Sequence, residues 1–149
     1  MFIGAVCSRQ VATCVADMTA LDVAKIMRCD RVGDLVVVEY RGTDPIPVGI
    51  ITDRDLVIKV MAMGLNPNHV TVGDVMSREL VTAYEGEVLD VAMQRMRGSG
   101  VRRVPLVDSA GVLVGIVSLD DIVKMLGFTL TNVSRVGGVE HREHILTQK

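Results

Sequence analysis

Two seven-residue stretches place a hydroxyl and a carboxylate at the same spacing, and no other residues of the chain are better suited to bind a ligand. The first is Gly49-Ile50-Ile51-Thr52-Asp53-Arg54-Asp55, and the second begins at Gly115, with Ser118 and Asp121 in the matching places. In both, β-branched residues lead into Thr/Ser-x-x-Asp, the pattern of a buried strand followed by a capped helix. The N–H groups of a helix N-terminus attract phosphate, and a carboxylate accepts hydrogen bonds from a ribose diol. The paired motifs are therefore typical of a nucleotide site.

The same residues also have a purely structural interpretation. A Thr or Ser at the N-cap with Asp at the third helical position stabilises a helix by about 1 kcal/mol without any ligand. The two interpretations are compatible, because an N-cap hydroxyl can also contact a phosphate. Arg54, Arg102 and Arg103 likewise have two interpretations, as phosphate ligands or as solvated charges.

The elements that must position the motifs occur twice in the same order. In each half we predict a short strand, a helix, two strands and a second helix, and each second helix is expected to end at a glycine, Gly64 or Gly127. The predicted elements are, in the first half, a strand at 11–15, a helix opening at Thr19, a strand at 34–38, a loop at 39–45, a strand at 47–51 and a helix at 52–63, and in the second half a strand at 80–82, a helix at 87–97, strands at 103–107 and 112–117 and a helix at 118–126.

The duplication predicts an α/β (α+β) fold of two β-α-β-β-α repeats, packed sheet against sheet with pseudo-twofold symmetry. A second match supports it, because Val32–Val38 resembles Val101–Val107 at nearly the same offset as the two motifs. Each copy alone would be marginal in core size, so the pair is expected to fold as one unit. The predicted division is a lead-in at 1–10, a first repeat at 7–64, a linker with a short helical turn at 65–76, a second repeat at 77–127 and a polar tail at 128–149.

Composition and charge exclude several classes of function. The 149 residues are 49% apolar and 23% charged with a net charge of −2, and Lys and Arg form no run, which argues against nucleic acid or an anionic membrane as a partner. No signal peptide and no apolar stretch of about 18 residues are present, so we predict a cytoplasmic protein. Cys7, Cys14 and Cys29 form no CxxC pair, which suits a reducing compartment.

No residue set points to catalysis or to a metal. The sequence contains no Ser-His-Asp set, no Cys-His pair with an orienting group and no paired carboxylates in a catalytic frame, so no enzyme is predicted. His141 and His144 have helical i, i+3 spacing but lack a third ligand, so no metal site is predicted either.

With these motifs in place, the chain resembles a tandem CBS-domain pair, or Bateman module, over about residues 7–127. Besides the duplicated motif, the resemblance rests on the Val-Gly-Asp-Val-Met turn at 72–76 and the Val-Pro-Leu-Val-Asp strand at 104–108. It implies a non-catalytic regulatory module that requires no cofactor and binds AMP, ADP or ATP, less often S-adenosylmethionine or NAD, in clefts between the repeats. It also implies that two copies of the module form a disc-like homodimer. The protein that the module regulates would be a separate chain.

The resemblance also assigns roles to residues of this chain. Thr52 and Ser118 would bind phosphate, and Asp55 and Asp121 would bind the ribose. The base would lie among small and aliphatic cleft residues, which are Val32, Gly33, Val101, Val104 and Pro105. The arginines near the phosphate would be Arg54, Arg102 and Arg103.

The first copy departs from the family pattern at two positions. Val36 stands where a proline is usual, and Asp34 corresponds to Arg103 of the second copy and could repel phosphate. We therefore expect at least one competent cleft and no equivalence between the two. Two alternatives remain open at this point: a dimerising interaction module without a ligand, and a redox-responsive partner binder that uses Cys7, Cys14 or Cys29.

Overall fold

The fold is taken from a computed structural model, which describes the backbone of residues 1–146 and the side chains of residues 1–136. A short 3₁₀ helix at Ile3–Ala5 precedes the first repeat. The remaining elements, in chain order, are β1 (Thr13–Cys14), α1 (Ala20–Asp30), β2 (Asp34–Arg41), β3 (Asp44–Thr52), α2 (Asp53–Asp55) continued by a π-helical segment (Leu56–Met61), α3 (Val72–Val75), β4 (Ala83–Tyr84), α4 (Leu89–Ser99), β5 (Arg103–Val107), β6 (Leu113–Ser118) and α5 (Leu119–Leu146).

Two three-stranded sheets with the same topology confirm the predicted pair of β-α-β-β-α repeats. Their strand orders are β1-β2-β3 and β4-β5-β6, and in each the first pair is parallel and the second antiparallel. Apolar side chains join the two sheets, with Val36 and Val38 of the first packed in one buried cluster with Leu113 of the second. Because this cluster draws on both repeats, the sheets share part of one core.

The short N-terminal helix packs on the second repeat. Ile3 is fully buried in the core of that repeat, in one cluster with Leu106 and Val117. Ser8 exchanges two backbone hydrogen bonds with Ile116 of β6, at 2.9 and 3.0 Å. Residues predicted to be a lead-in to the first repeat therefore complete the second.

The linker plays the reciprocal part for the first repeat. Val72 and Val75 of α3 are buried in the first core, and Ser77 exchanges two backbone hydrogen bonds with Ile50 of β3, at 2.9 and 3.0 Å. Ile3 precedes Val72 by the same interval that separates Ser8 from Ser77, so the two segments are themselves copies of one repeat element. Each repeat thus lends its N-terminal segment to the other.

This exchange explains the glycine that opens each seven-residue motif. A Cβ atom on Gly49 would lie 2.7 Å from the carbonyl oxygen of Ser77, and one on Gly115 would lie 3.0 Å from that of Ser8. A side chain at Gly49 would therefore force one of the two segments to shift, and one at Gly115 would make an unusually tight contact, so glycine suits the close approach of β3 and β6 to the exchanged segments.

The structure corrects several of the predicted boundaries, and three corrections are the largest. The expected loop at 39–45 is a tight hairpin turn at Gly42 and Thr43, since β3 is an edge strand and edge strands tolerate proline. The first strand of the second repeat begins at Ala83 instead of residue 80. The prediction that the last helix ends at Gly127 is wrong, because α5 runs on to Leu146. A glycine in the interior of a helix destabilises it by about 1 kcal/mol relative to alanine.

No helix within residues 1–146 combines the length and the apolar character needed to cross a membrane. His141 and His144 have side chains outside the described residues, so their predicted lack of a metal role stays a prediction.

Removing the buried side chain of the N-terminal helix should destabilise the protein. We expect Ile3→Ala to lower the free energy of unfolding by about 2–5 kcal/mol, because it opens a cavity in the second core. Denaturant titration followed by circular dichroism measures the change. The matched control is Phe2→Ala, since Phe2 is 64% exposed and should contribute less than about 0.5 kcal/mol. Equal denaturation midpoints for the two variants would contradict the packing of the N-terminal segment in the core of the second repeat.

Candidate functional site

Each Thr/Ser-x-x-Asp motif forms a capping box where a strand ends and a helix begins. Asp55 Oδ2 accepts hydrogen bonds from the backbone N–H and the hydroxyl of Thr52, both at 3.0 Å, and the Asp55 N–H donates to Thr52 Oγ1 at 3.1 Å. Ser118 and Asp121 repeat the arrangement, with N–H distances of 3.0 and 3.1 Å. The predicted capping role of both motifs is therefore present, and it engages one oxygen of each carboxylate.

The second oxygen distinguishes the two carboxylates. Asp55 Oδ1 lies 2.8 Å from the ammonium nitrogen of Lys59, one helical turn further on, and the same ammonium donates to the carbonyl oxygen of Val75 at 2.7 Å. The position equivalent to Lys59 in the second repeat is Met125. Within the described residues, Asp121 therefore has no cationic partner.

These contacts stabilise the charged form of Asp55. Burial alone would raise the pKa of the carboxyl, but hydrogen bonds from Lys59 and from Thr52 outweigh it, so the pKa lies below its ordinary value of 3.8. Asp55 is thus a structural anion at neutral pH, held between a cap and a lysine.

An ion pair joins the repeats at a position where their sequences carry opposite charges. Asp34 and Arg103 occupy equivalent positions at the starts of β2 and β5, and their side chains form a charge-assisted hydrogen bond across the two sheets. The Asp34 side chain is only 14% exposed. The expected repulsion of phosphate by Asp34 is therefore offset by Arg103.

A cavity of about 560 Å³ lies on one side of this ion pair, between the repeats. Thr52 and Arg54 line it from the first repeat, and Val101 and Arg102 line it from the second. The Arg102 guanidinium pairs loosely with Asp120, 3.7 Å away, while Arg54 has no ion-pair partner in the described part of the chain. The cavity can therefore offer one unpaired cation, Arg54, and two motif hydroxyls, those of Thr52 and Ser118.

A smaller cavity of about 230 Å³ lies on the other side. Ser118 and Asp121 line it from the second repeat, together with Arg31 and Val32 from the first. Four residues line both cavities, namely Gly33, Asp34, Arg103 and Ser118. The ion pair of Asp34 and Arg103 therefore separates the two cavities.

Nine of the twelve predicted site residues line one cavity or the other: Val32, Gly33, Thr52, Arg54, Val101, Arg102, Arg103, Ser118 and Asp121. Asp55, Val104 and Pro105 line neither. Val104 and Pro105 are buried within the second sheet, and Asp55 faces Lys59. Of the residues predicted to surround a base, Val32, Gly33 and Val101 therefore line a cavity, and Val104 and Pro105 do not.

Besides residues within or beside the motifs, such as Asp53, Ile116 and Asp120, sequence reasoning missed two wall segments and one arginine. Residues 10–12 line the smaller cavity and residues 79–81 line the larger one, at equivalent positions of the two repeats. Both precede the first strand of a repeat, so the repeat offset would have paired them. Arg31 was missed because it follows the end of α1, where a solvated residue is the usual expectation.

The cysteines do not form a common site in the structure. Cys14 is buried, Cys7 is half-buried and Cys29 is exposed, and all three are free thiols. Burial raises the pKa of the Cys14 thiol to about 11, so it is protonated and unreactive at neutral pH. Among the described residues, no group of three His, Cys, Asp or Glu side chains is placed to hold a metal ion.

The Asp55 contacts predict a pH dependence of stability. A carboxyl with a lowered pKa contributes stability above its ordinary pKa, and this is lost as the pH falls through the folded value. We expect Asp55→Asn to lower the free energy of unfolding by about 1–2 kcal/mol at pH 7, with the deficit shrinking below about pH 4. Urea titrations at both pH values measure it. Asp17→Asn, at an exposed position, is the control; a pH-independent deficit for Asp55→Asn would contradict the assignment.

Comparison with known proteins agrees with this architecture. A family model for the CBS domain matches residues 3–62 and 72–127. The uncharacterized protein MK0525 of Methanopyrus kandleri is 37% identical over 131 residues, which cover 88% of this chain. The chain spans only 65% of that relative's length. The CBS domain-containing protein YhcV of Bacillus subtilis is 36% identical, over 84% of this chain and 89% of its own length.

A solved structure shows the same pairing of domains. The CBS domain pair of protein MJ0100, in complex with 5′-methylthioadenosine and S-adenosyl-L-methionine, has a TM-score of 0.72 and 28% identity. The match covers 85% of this chain and 99% of that one. With two matched domains, two sheets of one topology and two cavities between them, this chain belongs to the CBS-domain family as a tandem CBS pair.

Proposed function

We propose that this protein is a regulatory module that binds an adenosine-containing ligand between its two CBS domains and catalyses no reaction itself. The observation that carries the proposal is that Thr52, Ser118 and Asp121 of the duplicated motif lie on the walls of cavities between the domains. AMP, ADP and ATP are the first candidates, and S-adenosylmethionine and NAD are less favoured.

The walls of the cavities offer the three contacts that such a ligand needs. A motif carboxylate can accept hydrogen bonds from both ribose hydroxyls, and arginine guanidinium groups can bind phosphate. Aliphatic side chains from both domains, among them Val32 and Val101, can cover an apolar base. A ligand held this way would touch both domains at once, so its binding energy would depend on how they pack.

A relative supports the class of ligand. The CBS pair of MJ0100 binds 5′-methylthioadenosine and S-adenosyl-L-methionine, both of which contain adenosine. Its 28% identity to this chain leaves the particular ligand to experiment.

We further propose that the module acts as a cytoplasmic homodimer read by a separate regulated protein. Apolar residues on the outer faces of the second helix of each repeat remain exposed: Val57 is 51% exposed, Met61 74%, Val123 58% and Leu126 48%. Such faces are typical of interfaces between subunits. The three free thiols suit a reducing compartment. Regulation would require the ligand to bind two packing states with different affinity.

The alternative is a dimerising interaction module that binds no ligand. The same exposed helix faces favour it. So does Lys59, because its ion pair with Asp55 engages the carboxylate of the first motif. Binding measurements separate the two functions directly.

The test is a thermal-shift panel of the purified protein with AMP, ADP, ATP, NAD and S-adenosylmethionine, followed by calorimetric titration. A ligand at 100 times its Kd adds about 2.7 kcal/mol of stability, which should raise the Tm by several degrees. We expect a shift with at least one of these compounds. We also expect the double variant Asp55→Ala/Asp121→Ala to lose it.

Asp22→Ala provides the matched control. Asp22 forms the same kind of capping contact with Thr19 on α1, away from both cavities, so its removal costs a helix cap but no ligand contact. A flat panel for the wild-type protein would overturn the sensor function in favour of the interaction module. Undiminished binding by the double variant would show that the ligand does not use the motif carboxylates.

A further inference from the structure

We infer that the two cavities are not equivalent, and that the protein binds a single nucleoside monophosphate in the smaller one, where Asp121 holds the ribose and Arg31 the phosphate. This inference rests on the proposed function and names the site and ligand class within it. Three differences between equivalent positions of the two repeats carry it.

The first difference is the state of the motif carboxylate. Both oxygens of Asp55 are engaged, one by Thr52 and the other by Lys59 at 2.8 Å, and Asp55 does not line the larger cavity. Asp121 lines the smaller cavity, and Met125 replaces the lysine. Among the described residues, Asp121 therefore keeps an oxygen available for a ribose diol, whereas Asp55 would have to give up an ion pair first.

The second difference is a cation on the wall. Arg31 lines the smaller cavity, and the equivalent residue beside the larger cavity is Gly100. Both adopt the left-handed conformation at a helix end, with φ of 55° for Arg31 and 65° for Gly100. That conformation costs a non-glycine residue about 1 kcal/mol. No ion pair to Arg31 occurs in the part of the chain that the structure describes, so its guanidinium is available to an anion.

The third difference is the balance of charge. In the smaller cavity Asp34 and Arg103 neutralise each other, which leaves Arg31 for the phosphate and Asp121 for the ribose. Beyond this ion pair, the larger cavity has two arginines, Arg54 and Arg102, but three carboxylates outnumber them, those of Asp53, Glu79 and Asp120. Arg102 is already paired with Asp120. One available guanidinium matches one phosphate group better than a polyphosphate.

The remaining wall of the smaller cavity suits a base. Val11, Ala12, Val32 and Ile116 supply aliphatic surface from both domains. The cavity therefore brings together an apolar wall, a diol acceptor and a guanidinium, which are the three parts that a nucleoside monophosphate requires.

The experiment is calorimetric titration of the full chain with AMP and with adenosine. For the wild-type protein we expect one equivalent of AMP and weaker binding of adenosine. Arg31→Gly introduces the residue already present at the equivalent position, and it should weaken AMP binding about tenfold or more while leaving adenosine affinity unchanged. Circular dichroism melts confirm that the variant is folded.

Met125→Lys supplies the second test, because it gives Asp121 the lysine that Asp55 has. The variant should lose affinity for both compounds at least tenfold, whereas Met125→Leu should bind as the wild type does. Absence of binding by the wild-type protein to any compound of the ligand panel would overturn the proposed function together with this inference. Binding of two equivalents, AMP affinity unaffected by Arg31→Gly, or full affinity in a folded Met125→Lys variant would each overturn this inference alone.

Discussion

Neither half of this chain can close its own core, and the rest of the structure depends on that constraint. Ile3 enters the core of the second domain and Val72 enters that of the first, and each is followed by a serine that pairs with the edge strand of the domain it joins. Gly49 and Gly115 are glycines because these segments pass so close to the strands. The exchange ties the two domains together, and residues of both domains line each of the two cavities.

A duplicated backbone need not carry duplicated chemistry. The strands and capping boxes of the two domains follow one another in the same order and with the same pairing, so differences between the cavities come chiefly from side chains. Three such differences between equivalent positions matter here. The first domain has Lys59, Arg31 and Asp34 where the second has Met125, Gly100 and Arg103. The last pair also shows why a duplicated position can diverge in charge, since the two residues meet between the repeats and compensate each other.

Much of the fold could be predicted from the sequence, because its signals are local. Thr/Ser-x-x-Asp marks where a strand meets a helix, and its repetition in the second half is enough to define two domains of one topology. The family resemblance then directed attention to residues such as Ser118 and Arg103, which do line the cavities. The continuation of α5 past Gly127 was missed, because residues 128–138 are mostly weak helix formers, among them threonine, valine, asparagine, serine and glycine, and local propensity gives no sign of a helix there.

The details of the site depended on contacts distant in sequence. The role of Lys59 could be seen only once its ammonium was placed between Asp55 and the carbonyl of Val75. The burial of Val104 follows from the packing of the second sheet and not from its position in a motif. Arg31 carries no motif at all, and its place on a cavity wall becomes evident only when the repeats are packed together.

Whether an adenosine ligand binds between the two domains can be seen in a crystal structure of the protein grown with AMP. We expect one AMP molecule per chain in the smaller cavity, with its ribose hydroxyls within hydrogen-bond distance of Asp121 and its phosphate beside Arg31. AMP bound outside the space between the domains, or crystals with both cavities holding only water at saturating AMP, would contradict it.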